Sequence, residues 1–194
     1  MDRLIFLERI QAYSRLTPAC ASAVGSALAR RTAAEGVTLP KATGRDRQLL
    51  MVASGIARVY VETDDGRDVT QYFVRAEDFV LANHDGARVA TERIEAVTEL
   101  TYVVLAYRKL EEFLGRYPEL AVFFAQVLRE RGLRQRDSSA RRSRGDEFET
   151  YESFLNAYPG LELEVPSAHI ASYLGMSANE YMRLRQRYRE RTLM

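Results

Sequence analysis

Between Leu49 and Tyr107 the apolar residues gather in short runs rich in β-branched and aromatic side chains, whereas on both sides of that stretch they recur at helical spacing. The runs are Leu49–Gly55, Ile56–Thr63, Val69–Val74, Asp78–Leu81 and Thr101–Tyr107. Ser54-Gly55 and Asp64-Asp65-Gly66 separate the first ones with glycine where a hairpin needs a positive φ. Strands this short, punctuated this regularly, cannot form an open parallel sheet; they close into a small barrel or roll. The expected class is therefore α+β: a double-stranded, jelly-roll-like β-roll between helices.

Residues 1 to about 35 read as helical, with Leu4, Leu7 and Ile10 in register, a break at Thr17-Pro18 and an end near Gly36. After Tyr107 a short helix covers Lys109 to Leu114, and Pro118 opens a longer one from Glu119 to about Arg136. That helix carries Leu120, Phe123, Phe124, Val127 and Leu128 on a broad apolar face. The face either packs on the roll or pairs with a second copy of the chain, in which case Leu120, Phe124 and Val127 are the expected seam. Ser138 to Gly145 reads as a polar hinge or a frayed helix end. Glu147 to Ala157 resumes as a helix with Phe148, Tyr151, Phe154 and Leu155 on one side, and stops at Tyr158-Pro159-Gly160. The expected division is 1–117 for the roll with its N-terminal helices, 118–144 for the connecting helix and hinge, and 145–194 for a C-terminal module.

That module contains Pro166 to Tyr188, two short helices around a glycine turn. Ile170, Ala171 and Leu174 share a face of the first helix, and Gly175 stands where a left-handed residue ends it. Ser177 and Glu180 form a capping box that starts the second. Tyr181, Leu184 and Tyr188 make its buried stripe, so Asn179, Met182, Arg183, Gln186 and Arg187 face outward. This is a helix-turn-helix pattern, and its outer side suits a major groove, where arginine pairs with guanine and asparagine with adenine. The plainer reading is a helical hairpin with a solvated basic face.

A net charge of +1 says nothing by itself about nucleic acid. Placement says more: after Glu180, Arg183, Arg185, Arg187, Arg189 and Arg191 are opposed only by Glu190, and Arg134, Arg136, Arg141, Arg142 and Arg144 load the segment before the module. Cys20 is the sole cysteine, which excludes an intramolecular disulfide and any cysteine-built metal centre. With only His84 and His169, the converging histidines of a barrel metalloenzyme are missing, and a haem on His84 is not expected. No metal, catalytic residue, membrane span or signal peptide is expected, and the protein is expected in the cytoplasm.

This order of parts resembles the Crp/Fnr family of bacterial transcription regulators over nearly the whole chain. The resemblance rests on Leu50–Tyr60, Asp64–Thr70, Glu77–Val80, and most specifically on Tyr151–Gly160 and Val165-Pro166 with His169–Ser177. It implies a homodimer joined by the long helix, an effector pocket in the roll, and double-stranded DNA with a two-fold site as partner; RNA polymerase is a candidate partner. In cyclic-nucleotide-binding members a Gly-Glu pair grips the ribose and an arginine before two small residues holds the phosphate. Leu81-Ala82 and Ala90-Thr91 stand at those places, so no cyclic nucleotide or other cofactor is expected and the effector is unassigned. Asn83, Arg88, Thr91 and Arg93 are the candidate pocket residues.

The resemblance places Arg183 first among base readers, then Asn179 and Gln186, with Ser167, Ser177, Arg185, Arg187 and Arg189 toward phosphates. Ala178 and Asn179 replace the usual Arg or Pro followed by Glu, so the family's familiar operator is not expected. No wing strands are expected after the second helix, so such backbone contacts are either absent or supplied by Arg187 and Arg191. The alternative is a regulator-derived protein-interaction module that has lost specific DNA binding.

Overall fold

The structure, a computed structural model, describes residues 2–40, 47–81, 92–141 and 146–192. Among the described residues, two helices, α1 (Asp2–Gln11) and α2 (Pro18–Ala27), precede seven strands: β1 (Ala29–Ala33), β2 (Gln48–Ser54), β3 (Ala57–Glu62), β4 (Asp68–Val74), β5 (Phe79–Leu81), β6 (Glu92–Ala96) and β7 (Leu100–Ala106). Five helices follow: α3 (Tyr107–Arg116), α4 (Leu120–Arg141), α5 (Glu147–Ala157), α6 (Ser167–Leu174) and α7 (Ala178–Thr192). The strands form two antiparallel sheets, ordered β1-β7-β2-β5 and β4-β3-β6.

Alternation along the strands explains why the apolar runs are nearly continuous. Leu50, Val52, Tyr102 and Val104 point into the roll, where they meet Val59, Tyr72, Val74 and Ile94 from the other sheet. Their neighbours Leu49, Met51, Val103 and Leu105 point the other way, into a core shared with α1 to α4. Burial on both faces removes the polar alternation that a half-exposed strand shows. Gly55, at φ 88°, makes the β2–β3 turn, and an added Cβ there would lie 2.2 Å from the Glu99 carbonyl oxygen, so only glycine fits.

Three expectations are corrected. The N-terminal helical region stops at Ala27, because residues 29–33 pair with β7, Ala29 opposite Val104. The helix after Pro118 continues to Arg141 rather than ending near Arg136, so Ser138 to Arg141 follow the helix-end reading of that segment and not the hinge; residues 142–145 lie outside the described ones. The seam expected at Leu120 and Val127 is instead packed on the chain's own roll: both are buried with Phe123, whose ring meets Phe79 at 4.9 Å. Phe124 is half-buried beside Tyr107.

Candidate nucleic-acid interface

The C-terminal module is built on Tyr151 and Phe154 of α5, against which Ile170, Ala171 and Leu174 of α6 and Tyr181 and Leu184 of α7 are buried. Gly175 ends α6 at φ 75°, and Met176 N–H returns to the Ala171 carbonyl at 3.0 Å, as a left-handed cap requires. The capping box expected at Ser177 is present: its N–H donates to Glu180 Oε2 at 2.7 Å, and its Oγ accepts from Glu180 N–H at 3.3 Å. These bonds hold the Glu180 carboxyl below the usual carboxylate range.

With Tyr181 and Leu184 fully buried, the opposite side of α7 is open. Asn179, Met182, Arg183, Gln186, Arg187 and Arg189 are exposed, as is Ser177, while Ser167 is half-buried at the start of α6. The open side is not purely basic. Arg187 is 2.7 Å from Glu147 of α5, and its guanidinium lies over the Phe148 ring, as does that of Arg191. Gln186 donates to Glu190 at 3.0 Å. A shallow groove results, lined by Glu147, Glu180, Arg183, Gln186, Arg187 and Glu190.

Arg185 departs from the expectation of a phosphate contact. It lies on the inward side of α7, half-buried, in an ion pair with Glu162. A guanidinium held there is turned from any duplex that the open side could meet. Of the candidate effector residues, Asn83, Arg88 and Thr91 lie outside the described residues, as does His84. Arg93 alternates with the inward Ile94 on β6, so it sits on the outer face of the roll, 3.5 Å from Glu62. That position removes it from a pocket inside the roll.

The contact between module and roll was not foreseen. Arg58, 4% exposed, points outward from β3 and is held by Glu95 at 2.6 Å, Asp68 at 3.1 Å and the Thr70 hydroxyl at 3.2 Å. Ser172 of α6 donates to the Asp68 carbonyl at 2.7 Å and accepts from Thr70 N–H at 2.9 Å. Tyr158 Oη accepts from Phe73 N–H at 3.3 Å, and His169 Nε2 lies 3.7 Å from Glu95. Burial, then the nearby Arg58 charge, holds His169 below its ordinary pKa. An arginine at an outward strand position between apolar neighbours was the available signal, yet sequence cannot say what would cover it.

No family model matches the chain, and no curated protein matches it. Solved structures do. FixK2 from Bradyrhizobium japonicum is similar with a TM-score of 0.73 at 16% identity, over 85% of this chain and 86% of that one. A putative transcriptional regulator of the Crp/Fnr family from Eubacterium rectale gives 0.69 at 18%, over 91% and 85%. The fold is that of the Crp/Fnr regulators. A CooA mutant from Carboxydothermus hydrogenoformans extends the match to 95% of this chain and 84% of its own, with a TM-score of 0.71 at 15% identity. The Crp/Fnr-type fold thus takes in the N-terminal helices, the roll, the long α4 and the terminal helix pair together. Among the described residues no helix is long and apolar enough to cross a membrane, and no cluster of three or more His, Cys, Asp or Glu is arranged to hold a metal.

Proposed function

We propose that the protein is a Crp/Fnr-type transcription regulator, not an enzyme, that binds double-stranded DNA as a homodimer through α7. The observation that carries this reading is the division of α7 into a fully buried side, Tyr181 and Leu184, and an open side bearing Arg183, Asn179 and Gln186. Arg183 is the principal base reader, with Asn179 and Gln186 beside it. Ser167, Ser177, Arg187 and Arg189 hold phosphates, which set register without reading sequence. Arg185 is dropped from that set because Glu162 holds it.

Dimerisation runs along the side of α4 that the roll leaves open. Ala121, Ala125, Leu128 and Gly132 follow one another at i, i+4, i+7 and i+11, and Leu128 is 44% exposed. Gly132 costs a helix interior about 1 kcal/mol relative to alanine. Among the described residues nothing requires it, since an added Cβ would meet none of their atoms within 4 Å. A partner helix passing closely at that point supplies the reason.

The working organisation remains 1–117, 118–144 and 145–194, with the roll as an effector sensor or a structural remnant of one, and RNA polymerase as a further partner. The test is retardation of a mixed-sequence duplex by the whole chain at low salt. Affinity that falls steeply as salt rises supports the reading, because phosphate contacts release counterions. No retardation at micromolar protein would favour the protein-interaction module instead.

A further inference from the structure

Glu162 sits in a single 3-10 turn, Leu161–Leu163, between α5 and α6, and belongs to neither helix of the pair. One of its oxygens nevertheless gathers three groups. Oε1 accepts from the Tyr151 hydroxyl of α5 at 2.9 Å and from the Tyr181 hydroxyl of α7 at 3.1 Å. Arg185, one turn further along α7, meets the same oxygen as an ion pair without an aligned hydrogen bond. The turn itself is anchored by Leu161, which is fully buried. Glu162 and Arg185 are about four-fifths buried, at 17% and 21% side-chain exposure, so this charge pair is shielded from water and salt.

The buried side of α7 otherwise includes Leu184 and the rings of Tyr181 and Tyr188. Apolar contacts are not directional, whereas hydrogen bonds and ion pairs to a fixed oxygen are. At the outer radius of a helix, about 5–6 Å, a rotation of about 30° carries a side-chain tip about 3 Å, enough to lose a base contact. Arg183 projects from the open side of the same rod.

We infer that Glu162 is a positioning residue for DNA recognition, fixing the rotation of α7 through Tyr151, Tyr181 and Arg185 and keeping the Arg185 charge off the duplex. The inference rests on α7 being the groove-reading helix. It assigns Glu162 two effects that a merely structural residue would not combine: it raises discrimination between sites, and it lowers affinity for DNA in general.

The experiment measures binding of the whole chain to its selected site and to a random duplex across a salt series. Glu162→Gln keeps an acceptor for the tyrosines but releases Arg185. Its preference for the selected site should fall about tenfold per half-site, the loss of one well-seated base contact in each. Its binding to random DNA should strengthen, with a salt slope steeper by about 1.8 for the dimer, one added phosphate contact per protomer. Adding Arg185→Gln should return the slope to that of the parent while the preference stays low. Tyr181→Phe, close to isosteric, removes one bond to Glu162 and leaves Arg185 held; it should lower preference at unchanged slope, and it decides the matter if Glu162→Gln does not fold. Unchanged preference and slope in Glu162→Gln, or unchanged preference in Tyr181→Phe, overturns the role of Glu162 alone. A parent chain that binds no duplex overturns the DNA-binding reading and this inference with it.

Discussion

The guanidinium of Arg187 lies 2.7 Å from the carboxylate of Glu147, two side chains 40 positions apart that meet on the open side of the helix pair. A cation that faces the proposed duplex therefore already has an acidic partner on its own chain. To reach a phosphate, Arg187 must leave Glu147, and the carboxylate left behind repels the backbone. Glu147→Gln should therefore tighten binding to random duplexes and steepen the salt slope of the dimer by up to about 1.8, one phosphate per protomer. A salt titration by electrophoretic retardation checks this, and weaker binding would contradict it.

Arg183→Ala should behave in the opposite way. Loss of a bidentate base contact costs about 1–3 kcal/mol on the preferred site and leaves random-sequence binding nearly intact. Equal losses on both duplexes would make Arg183 a phosphate contact.

Adjacent positions on α4 should have different consequences. Leu128→Glu, on the open side, should yield folded monomers by sedimentation. Val127→Glu places a charge in the core between the roll and its helices and should lower stability by about 3 kcal/mol or more, read by denaturant unfolding. Dimers that survive Leu128→Glu would exclude this side of α4 as the seam.

The contact between roll and C-terminal module should weaken in mild acid. His169, packed against Arg58 and Glu95 with Asp68 nearby, has its pKa held below 6.5 in the folded chain. Below 6.5 the unfolded chain takes up the proton more readily than the folded one, so stability is full above that value and falls as pH drops toward the lowered pKa. Unfolding of His169→Gln across the same range should lack this component.

Much of the fold was legible because its signals are local. Gly175, the Ser177–Glu180 box and the Tyr181–Leu184 stripe each act within one or two turns, so the helix pair could be placed nearly to the residue. Gly55 and Gly66 marked their turns for the same reason, both at positive φ. What was missed depends on distant chain. The Ala29-Arg-Arg-Thr-Ala33 strand has three of its five residues exposed and carries no apolar alternation; it is a strand because β7 offers an edge. Likewise, β6, Glu92-Arg-Ile-Glu-Ala96, exists through β3.

At the candidate site the same division holds. The exposed face of α7 follows from helical period alone, whereas the partners that occupy Arg185 and Arg187 come from Glu162 and Glu147, which no periodicity connects to them. The apolar stripe of α4 was visible, but which half of it the roll would cover depended on where Phe79 and Phe6 came to lie, ring to ring at 5.2 Å and beside Phe123.

Selection of bound duplexes from a random pool by the whole chain tests the central claim most directly. A two-fold reader should recover a palindrome whose half-sites lie about one helical turn, about 34 Å, apart, and Arg183→Ala should relax one position in each half. A pool that shows no enriched sequence, or a single unrepeated half-site, would contradict a dimer that reads DNA through α7.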